Sequence, residues 1–209
     1  MAIICFFGTD ASGKTTLARE LACKLSNKGH KVRLSWMRGT HTMVSLIARL
    51  ISRLSIFRGP DNPYYSISIP KNLRPLWQFL EFLSMLPVFL LKFLIPSMLG
   101  YIVIGDRGPL DFLVWVSVTT RDSRFVQGFI GRFTLALASK SCLNIYVRAE
   151  LEVLKARKPN VTHSLFPQFA IYDFLAKKVK VPIIDTTKKT VEESVKEICS
   201  ILSKVGIKP

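Results

Sequence analysis

A chain of 209 residues with 49% hydrophobic and 21% charged residues is long enough to bury a sizeable core and too apolar to stay disordered. Its formal net charge of +16 asks for anionic partners, a demand that nucleotides, nucleic acid or a membrane surface would each meet. The four cysteines, Cys5, Cys23, Cys142 and Cys199, form no Cys-x-x-Cys pair, which excludes a zinc ribbon or disulfide framework and leaves reduced core thiols of a cytoplasmic protein.

The chain opens on an apolar run, residues 3–7, with no basic stretch before it, so a strand is expected and not a signal peptide. That run leads into Gly8-Thr-Asp-Ala-Ser-Gly-Lys-Thr-Thr16, which contains the Gly-x-x-x-x-Gly-Lys-Thr pattern of a phosphate loop. Its glycines permit a tight backbone whose N–H groups point inward, and the helix expected over 14–26 adds its positive end. Gly8, Ala11, Ser12, Gly13, Lys14, Thr15 and Thr16 are the expected phosphate cradle, with Lys14 on the β/γ-phosphates and Thr15 on a magnesium ion. Asp10 stands out inside this anion cradle. Its carboxylate either closes an Asx-type turn on loop N–H groups or faces a second substrate.

A second strand, 32–36, ends in Trp36-Met-Arg38-Gly39, which puts Arg38 on the same sheet edge as the phosphate loop. Arg38 is either a fork for a second substrate's phosphate or a solvent-facing side chain. Helical periodicity follows over 42–56 and 73–98, separated by residues 58–74, whose prolines, tyrosines and Asp-Asn pair read as a loop over a site. Residues 76–104 are the most apolar stretch. A spanning helix needs about 20 uninterrupted apolar residues, and Glu81, Pro87, Lys92, Pro96 and Gly100 interrupt this one. No membrane span is expected; the helix reads as buried or as a dimer surface.

The strand at 101–104 leads into Gly105-Asp106-Arg107, a carboxylate and a cation at the carboxyl end of a buried strand, where open α/β sheets bind ligands. Asp106 is expected to hold Mg²⁺ with Thr15, and Arg107 to meet a substrate phosphate, unless the two form a structural ion pair. Helices at 110–118 and 126–138, a strand at 143–147 and a helix at 151–157 come next. Arg157-Lys158-Pro159 opens a basic lid over about 157–168, which either closes on the nucleotide or caps a solvated helix end. A helix at 164–179, a strand at 181–184 and a helix at 191–205 finish the chain. Five short apolar strands between helices predict a single α/β domain, three layers deep, with a five-stranded parallel sheet flanked by helices.

With these elements in order, the chain resembles the thymidylate kinase family of P-loop kinases along nearly its whole length. "GTDASGKTT" reproduces that family's Gly-x-Asp-x-x-Gly-Lys-Thr-Thr, Asp106-Arg107 matches its Asp-Arg pair, and "VPIIDTT" with "VEESVKEICSIL" looks like its closing unit beside the adenine. The resemblance implies phosphoryl transfer from ATP–Mg²⁺ to a nucleoside monophosphate, dTMP first, with Lys14, Arg107 and Arg157 stabilising the transferring group. It implies an acceptor side built from Asp10, Arg38, Arg74, Arg107 and Asp111 with an aromatic drawn from Tyr64, Tyr65, Trp77 or Phe79, and it supports a homodimer through the apolar helices.

Several acceptor positions depart from the family. Gly108 stands where an aromatic is usual, Asp111 and Trp115 replace Ser and Tyr, and Arg-x-Pro-Gly is reduced to Arg38-Gly39. No arginine in "LEFLSMLPVFLLKFL" matches the one that binds the monophosphate. Divergent thymidylate kinase-like proteins are similar here, with Asp106-Arg-x-x-x-Asp111 and the later Gln168-x-x-x-Tyr172. Asp111, one helical turn beyond Arg107, either orients it or bonds the substrate. The rivals are a P-loop kinase for another small-molecule or polynucleotide acceptor, and a nucleotide-dependent nucleic-acid-binding protein. Dispersed basic residues and the lack of an aromatic-basic module count against nucleic acid.

Overall fold

The computed structural model describes residues 2–158 and 162–207, with the backbone course alone for 162–167. In chain order the elements are β1 (Ala2–Phe7), α1 (Lys14–Asn27), β2 (Val32–Ser35), α2 (Thr42–Ile51), β3 (Arg58–Asn62), α3 (Arg74–Phe89), α4 (Ile95–Met98), β4 (Ile102–Asp106) and α5 (Pro109–Thr119). They continue as α6 (Phe129–Ser141), β5 (Leu143–Arg148), α7 (Leu151–Arg157), α8 (Thr162–Val179), β6 (Ile183–Asp185) and α9 (Val191–Lys204).

Five strands form one parallel sheet in the order β2-β4-β1-β5-β6, the five that the apolar runs predict. Strand side chains alternate between faces, and β1 shows the result. Ile3, Cys5 and Phe7 join one core with α3, α5, α6 and α8, whereas Ile4 and Phe6 join another with α1 and α9. The sheet is therefore the middle of three layers. Its register sets Phe6 beside Asp106, Ser35 beside Gly105 and Arg148 beside Asp185. The loops that leave β1, β2, β4 and β6 consequently open on one edge.

The structure differs from the sequence expectations at three places. The helix from Thr42 stops at Ile51, where the Ser52 hydroxyl turns back onto the Arg49 carbonyl, and a separate 3₁₀ turn covers Ser55–Phe57. The loop at 58–74 contains β3, bridged to Ile67 in antiparallel fashion at Arg58 and Asn62. The helix expected over 73–98 is interrupted by a π-helical turn, Leu90–Leu94, just after Pro87. Proline withholds an N–H and crowds the preceding turn, so the ladder changes its spacing there.

By length and composition the stretch Lys71–Met98 would suffice to cross a membrane, but 39% of its most apolar window is buried against the rest of the protein. Val88, Phe89 and Phe93 enter the main core, and Gln78 donates to Thr120 and Asp122. This helix is built into the fold.

Candidate active site

A cavity of about 710 Å³ opens on the sheet edge where those loops converge. The phosphate loop with Asp106 and Arg107 forms its floor, Arg157, Thr186, Lys189 and Thr190 one end, and Trp36, Arg38 and Tyr64 the other.

Gly13 takes a left-handed conformation before α1, whose first turn has no side-chain cap and no acidic residue. Free N–H groups at a helix start attract anions. Lys14 is buried, and its Nζ donates to the Thr9 carbonyl and, at 3.3 Å, to Ser12 Oγ. Burial, followed by the nearby Arg107 charge, lowers its pKa to about 7, against the pull of Asp111, Asp10 and Asp106. A phosphate would supply the missing counter-charge. Thr15 Oγ1 donates to Asp106 Oδ2 at 2.6 Å, while Asp106 Oδ1 is buried without a partner among the described residues. A hydroxyl beside an unsatisfied carboxylate oxygen fits a hard divalent cation that draws its other ligands from phosphates and water. Among the described residues no three His, Cys, Asp or Glu side chains gather into a metal cage of their own.

Arg107 sits at φ 90°, a region that costs a non-glycine residue of order 1–3 kcal/mol. Its N–H bonds the Phe6 carbonyl at 3.1 Å, and its guanidinium bonds Asp10 and, at 2.9 Å, Asp111 Oδ1. Asp10 also pairs with Arg38 at 3.7 Å. Its partners are thus two guanidinium groups and not loop N–H groups. Burial pushes the Asp10 pKa up, but Arg107, Arg38 and Lys14 outweigh it and hold it at about 2. Asp111 is fully buried and accepts from the Tyr172 hydroxyl of α8 at 2.7 Å; burial pushes its pKa up against the pull of Arg107 and Lys14.

The wall beyond Arg38 is aromatic. The Arg38 guanidinium lies 4.5 Å from the Trp115 ring centre and donates to Tyr64 Oη at 3.3 Å, and Tyr64 itself stacks on Trp115 at 5.1 Å. Gly39 is required by this packing, because a Cβ there would lie 2.0 Å from Trp115 Cδ1. Gly108 has a similar reason: a Cβ would come within 2.8 Å of Cys5 Sγ, so an aromatic has no room at that position.

Behind the wall, Thr40 Oγ1 accepts from Trp115 Nε1 at 3.0 Å and from Asn62 Nδ2 at 3.2 Å. Both donors are obligate, so the hydroxyl's one proton goes to Glu81 Oε1, 2.6 Å away. The Thr40 N–H donates to the other Glu81 oxygen. Burial raises the Glu81 pKa to about 7, while bonds from Thr40 and Trp77 favour the anion.

Most residues singled out in the sequence meet in this cavity or directly behind it. Arg74 does not; it donates to the Arg121 carbonyl at 3.4 Å and lies off the cavity wall. Of the four candidate aromatics only Tyr64 lines the cavity, whereas Trp77 belongs to a cluster with Val44 and Ala48 of α2 and with Ile67 and Ile69, against which Tyr65 packs. Arg157 arrives, but its guanidinium bonds the carbonyls of Ala11 (3.3 Å) and Thr186 (2.9 Å). Lys158 lines the cavity, Pro159 lies outside the described residues, and Gln168 is buried with its Oε1 unpartnered among the described residues. Sequence reasoning missed the Thr40–Glu81 pair, Trp36 and Thr186. The one available signal was a lone carboxylate, Glu81, on an otherwise apolar helix.

No family model matches the chain, and no curated protein matches its sequence. Solved structures do. Thymidylate kinase from Candida albicans superposes with a TM-score of 0.64 at 18% identity, covering 100% of this chain and 93% of the other. Thymidylate kinase from Ehrlichia chaffeensis gives a TM-score of 0.57 at 18% identity, covering 96% of this chain and 98% of the other. The chain has a thymidylate kinase-like fold. The five-stranded sheet, the phosphate loop after its central strand β1 and the helices on both faces all belong to that thymidylate kinase-like architecture. At this identity the likeness is one of fold.

Proposed function

We propose that the chain transfers the γ-phosphoryl group of ATP, as its magnesium complex, to a nucleoside monophosphate, with dTMP the first acceptor. The observation that carries this reading is one continuous cavity with a phosphate loop, Lys14 and the Thr15–Asp106 pair at its floor and the linked Arg107–Asp10–Arg38 cluster on its far side. Thymidylate kinase-like neighbours support it through the fold.

The acceptor's phosphate oxygen is already ionised at neutral pH, so no base is needed to form its bond to the γ-phosphorus as ADP leaves. Positioning and charge supply the catalysis. Loop N–H groups and Lys14 hold the β- and γ-phosphates, and Arg107, fixed by Asp10 and Asp111, faces the transferring group. Thr15 and Asp106 would hold Mg²⁺, which when bound neutralises charge on the phosphates. Arg157 and Lys158, with Lys189 and Thr190, frame the ATP end, and Arg38 with Tyr64 and Trp36 frames the acceptor end.

Two substitutions separate the ends. Asp10→Ala releases Arg38 and Arg107 from their shared anchor. Initial-rate kinetics are expected to show an acceptor KM raised about tenfold or more, with ATP KM within about twofold, since a charged hydrogen-bond anchor is worth roughly 1.5–3 kcal/mol. A fall in ATP affinity alone would return Asp10 to a loop-turn role. Glu81→Gln replaces one acceptor oxygen with an NH₂ that faces either the Thr40 hydroxyl or the Thr40 N–H, both donors. It is expected to raise the acceptor KM by about tenfold and to leave ATP binding unchanged. Equal losses for both substrates would make Glu81 a purely structural residue.

A second reading has its own observation. Arg38 and Arg107 are already offset by Asp10 and Asp111, and α3 contributes the carboxylate of Glu81 and no cation to this end. A less anionic acceptor than a nucleoside monophosphate suits that balance. Labelled ATP offered with nucleoside monophosphates, nucleosides, phosphorylated sugars and oligonucleotides decides between the two. Product from nucleoside monophosphates supports the first reading; product only from nucleosides supports the second, and product only from phosphorylated sugars or oligonucleotides contradicts both.

A further inference from the structure

A phosphate loop holds anions only while its N–H groups converge, so its carbonyls must turn outward and find partners of their own. Two of these carbonyls are satisfied within the loop and its helix. That of Thr9 accepts from Lys14 Nζ and the Ser12 N–H, and that of Gly13 from the Leu17 N–H of α1. The carbonyls of Ala11 and Ser12 are held from outside, by residues at the ends of α7 and β6. Arg157 Nη1 donates to the Ala11 carbonyl at 3.3 Å, and Thr186 Oγ1 donates to the Ser12 carbonyl at 2.9 Å.

The second of these bonds aims an anion-binding group. In a planar trans peptide the C=O and the following N–H point in opposite directions. A Ser12 carbonyl fixed on Thr186 therefore turns the Gly13 N–H away from Thr186, at a residue that lines the cavity. The preceding peptide does not serve in the same way, because the Ser12 N–H is spent on the Thr9 carbonyl. Arg157 clamps that peptide, next to Ala11 at φ 66°, a region in which a side chain is disfavoured.

Thr186 is buried and is itself oriented. Its N–H donates to the Arg148 carbonyl of β5 at 2.8 Å, its Oγ1 accepts from Arg157 Nη1 at 3.2 Å, and its carbonyl accepts from Nη2 at 2.9 Å. A guanidinium offers only donors, so a lone pair of the hydroxyl faces Arg157 and its one proton is left for the loop. The Arg148 carbonyl, 3.2 Å from the same hydroxyl, already has the Thr186 N–H. We infer that Thr186 is a positioning residue for the donor's phosphates, holding the Ser12–Gly13 peptide in its anion-binding orientation. Arg157 acts through Thr186 and the Ala11 carbonyl, and not on the transferring group. The inference rests on the loop being the donor's phosphate site, as proposed above, and not on the identity of the acceptor.

Calorimetric titration with magnesium ATP and with magnesium tripolyphosphate tests it, since tripolyphosphate offers the phosphates without base or sugar. Thr186→Val keeps the shape and removes the hydroxyl, and it should weaken both ligands about tenfold. Thr186→Ser keeps the hydroxyl and should stay within about twofold of the native chain. Arg157→Ala should weaken both ligands by a smaller factor, about threefold, and the double variant should lose less than the product of the two, because both act through one contact. Melting temperatures near that of the native chain confirm intact folds. A loss confined to ATP would make the two residues contacts of the nucleoside, and equal losses in Thr186→Ser and Thr186→Val would make Thr186 a packing residue; either result overturns the inference. So would a fall in kcat of about a thousandfold in Arg157→Ala with ATP binding retained, the mark of a guanidinium on the transferring phosphoryl. Native binding that all the variants leave unchanged overturns this inference alone, whereas a native chain that binds neither ligand overturns the donor reading with it.

Discussion

Replacing Lys14 by methionine is expected to lower kcat/KM for phosphoryl transfer about a thousandfold, the scale on which removing one preorganised donor to a developing anion is felt. The ammonium group is buried against the Thr9 carbonyl and Ser12 hydroxyl, and its pKa stands near 7 before any phosphate arrives. That value gives the substitution a second readout. Phosphates favour the charged ammonium, so the pKa rises on ATP binding and a proton is taken up once the pH exceeds about 7. ATP affinity should therefore decline as pH rises through and beyond 7 in the native chain. Calorimetry in buffers of different ionisation enthalpy should show the uptake, and Lys14→Met should abolish it. A pH-independent affinity in the native chain would contradict this account of Lys14.

Arg107→Ala should be as damaging to turnover and, in addition, costly to stability. A guanidinium that stabilises the transferring phosphoryl contributes about a thousandfold or more in enzymes of this chemistry. Its removal also leaves Asp111 in full burial with only the Tyr172 hydroxyl, and breaking a buried ion pair from one side costs about 3 kcal/mol. Arg107→Ala combined with Asp111→Asn should regain much of that stability and none of the turnover. Arg107→Lys retains charge but loses the fork that reaches Asp10 and Asp111 together, so it should recover turnover poorly. Thermal melts and steady-state kinetics on the four proteins separate the two effects.

The residues that sequence reasoning grouped and that do meet at the cavity are those whose position is written locally. The phosphate loop needs consecutive backbone N–H groups and a helix start, and Asp106 needs only the end of a buried strand, so spacing sufficed for both. The acceptor wall is different. Arg38 reaches Trp115 across 77 residues of sequence, and Thr40 reaches Glu81 across 41, contacts that no local pattern announces. The shortening of Arg-x-Pro-Gly to Arg38-Gly39 and the Gly108 in place of an aromatic looked like losses against the family pattern. The structure shows each as a consequence of packing, one under Trp115 and the other against Cys5. Arg74 was a candidate for the acceptor side, yet at the start of α3 it donates to the Arg121 carbonyl and lies off the cavity wall. Asp10, the misfit in the phosphate loop, is held by two arginines from two other strand ends, and such a convergence only the folded sheet edge creates.

The most direct test incubates the purified chain with ATP, magnesium and each nucleoside monophosphate in turn, with ADP and nucleoside diphosphate both quantified. ADP and nucleoside diphosphate formed in equal amounts, fastest with dTMP and lost in Lys14→Met, is the predicted result. ATP binding without nucleoside diphosphate from any monophosphate, while another acceptor class is phosphorylated, would contradict it.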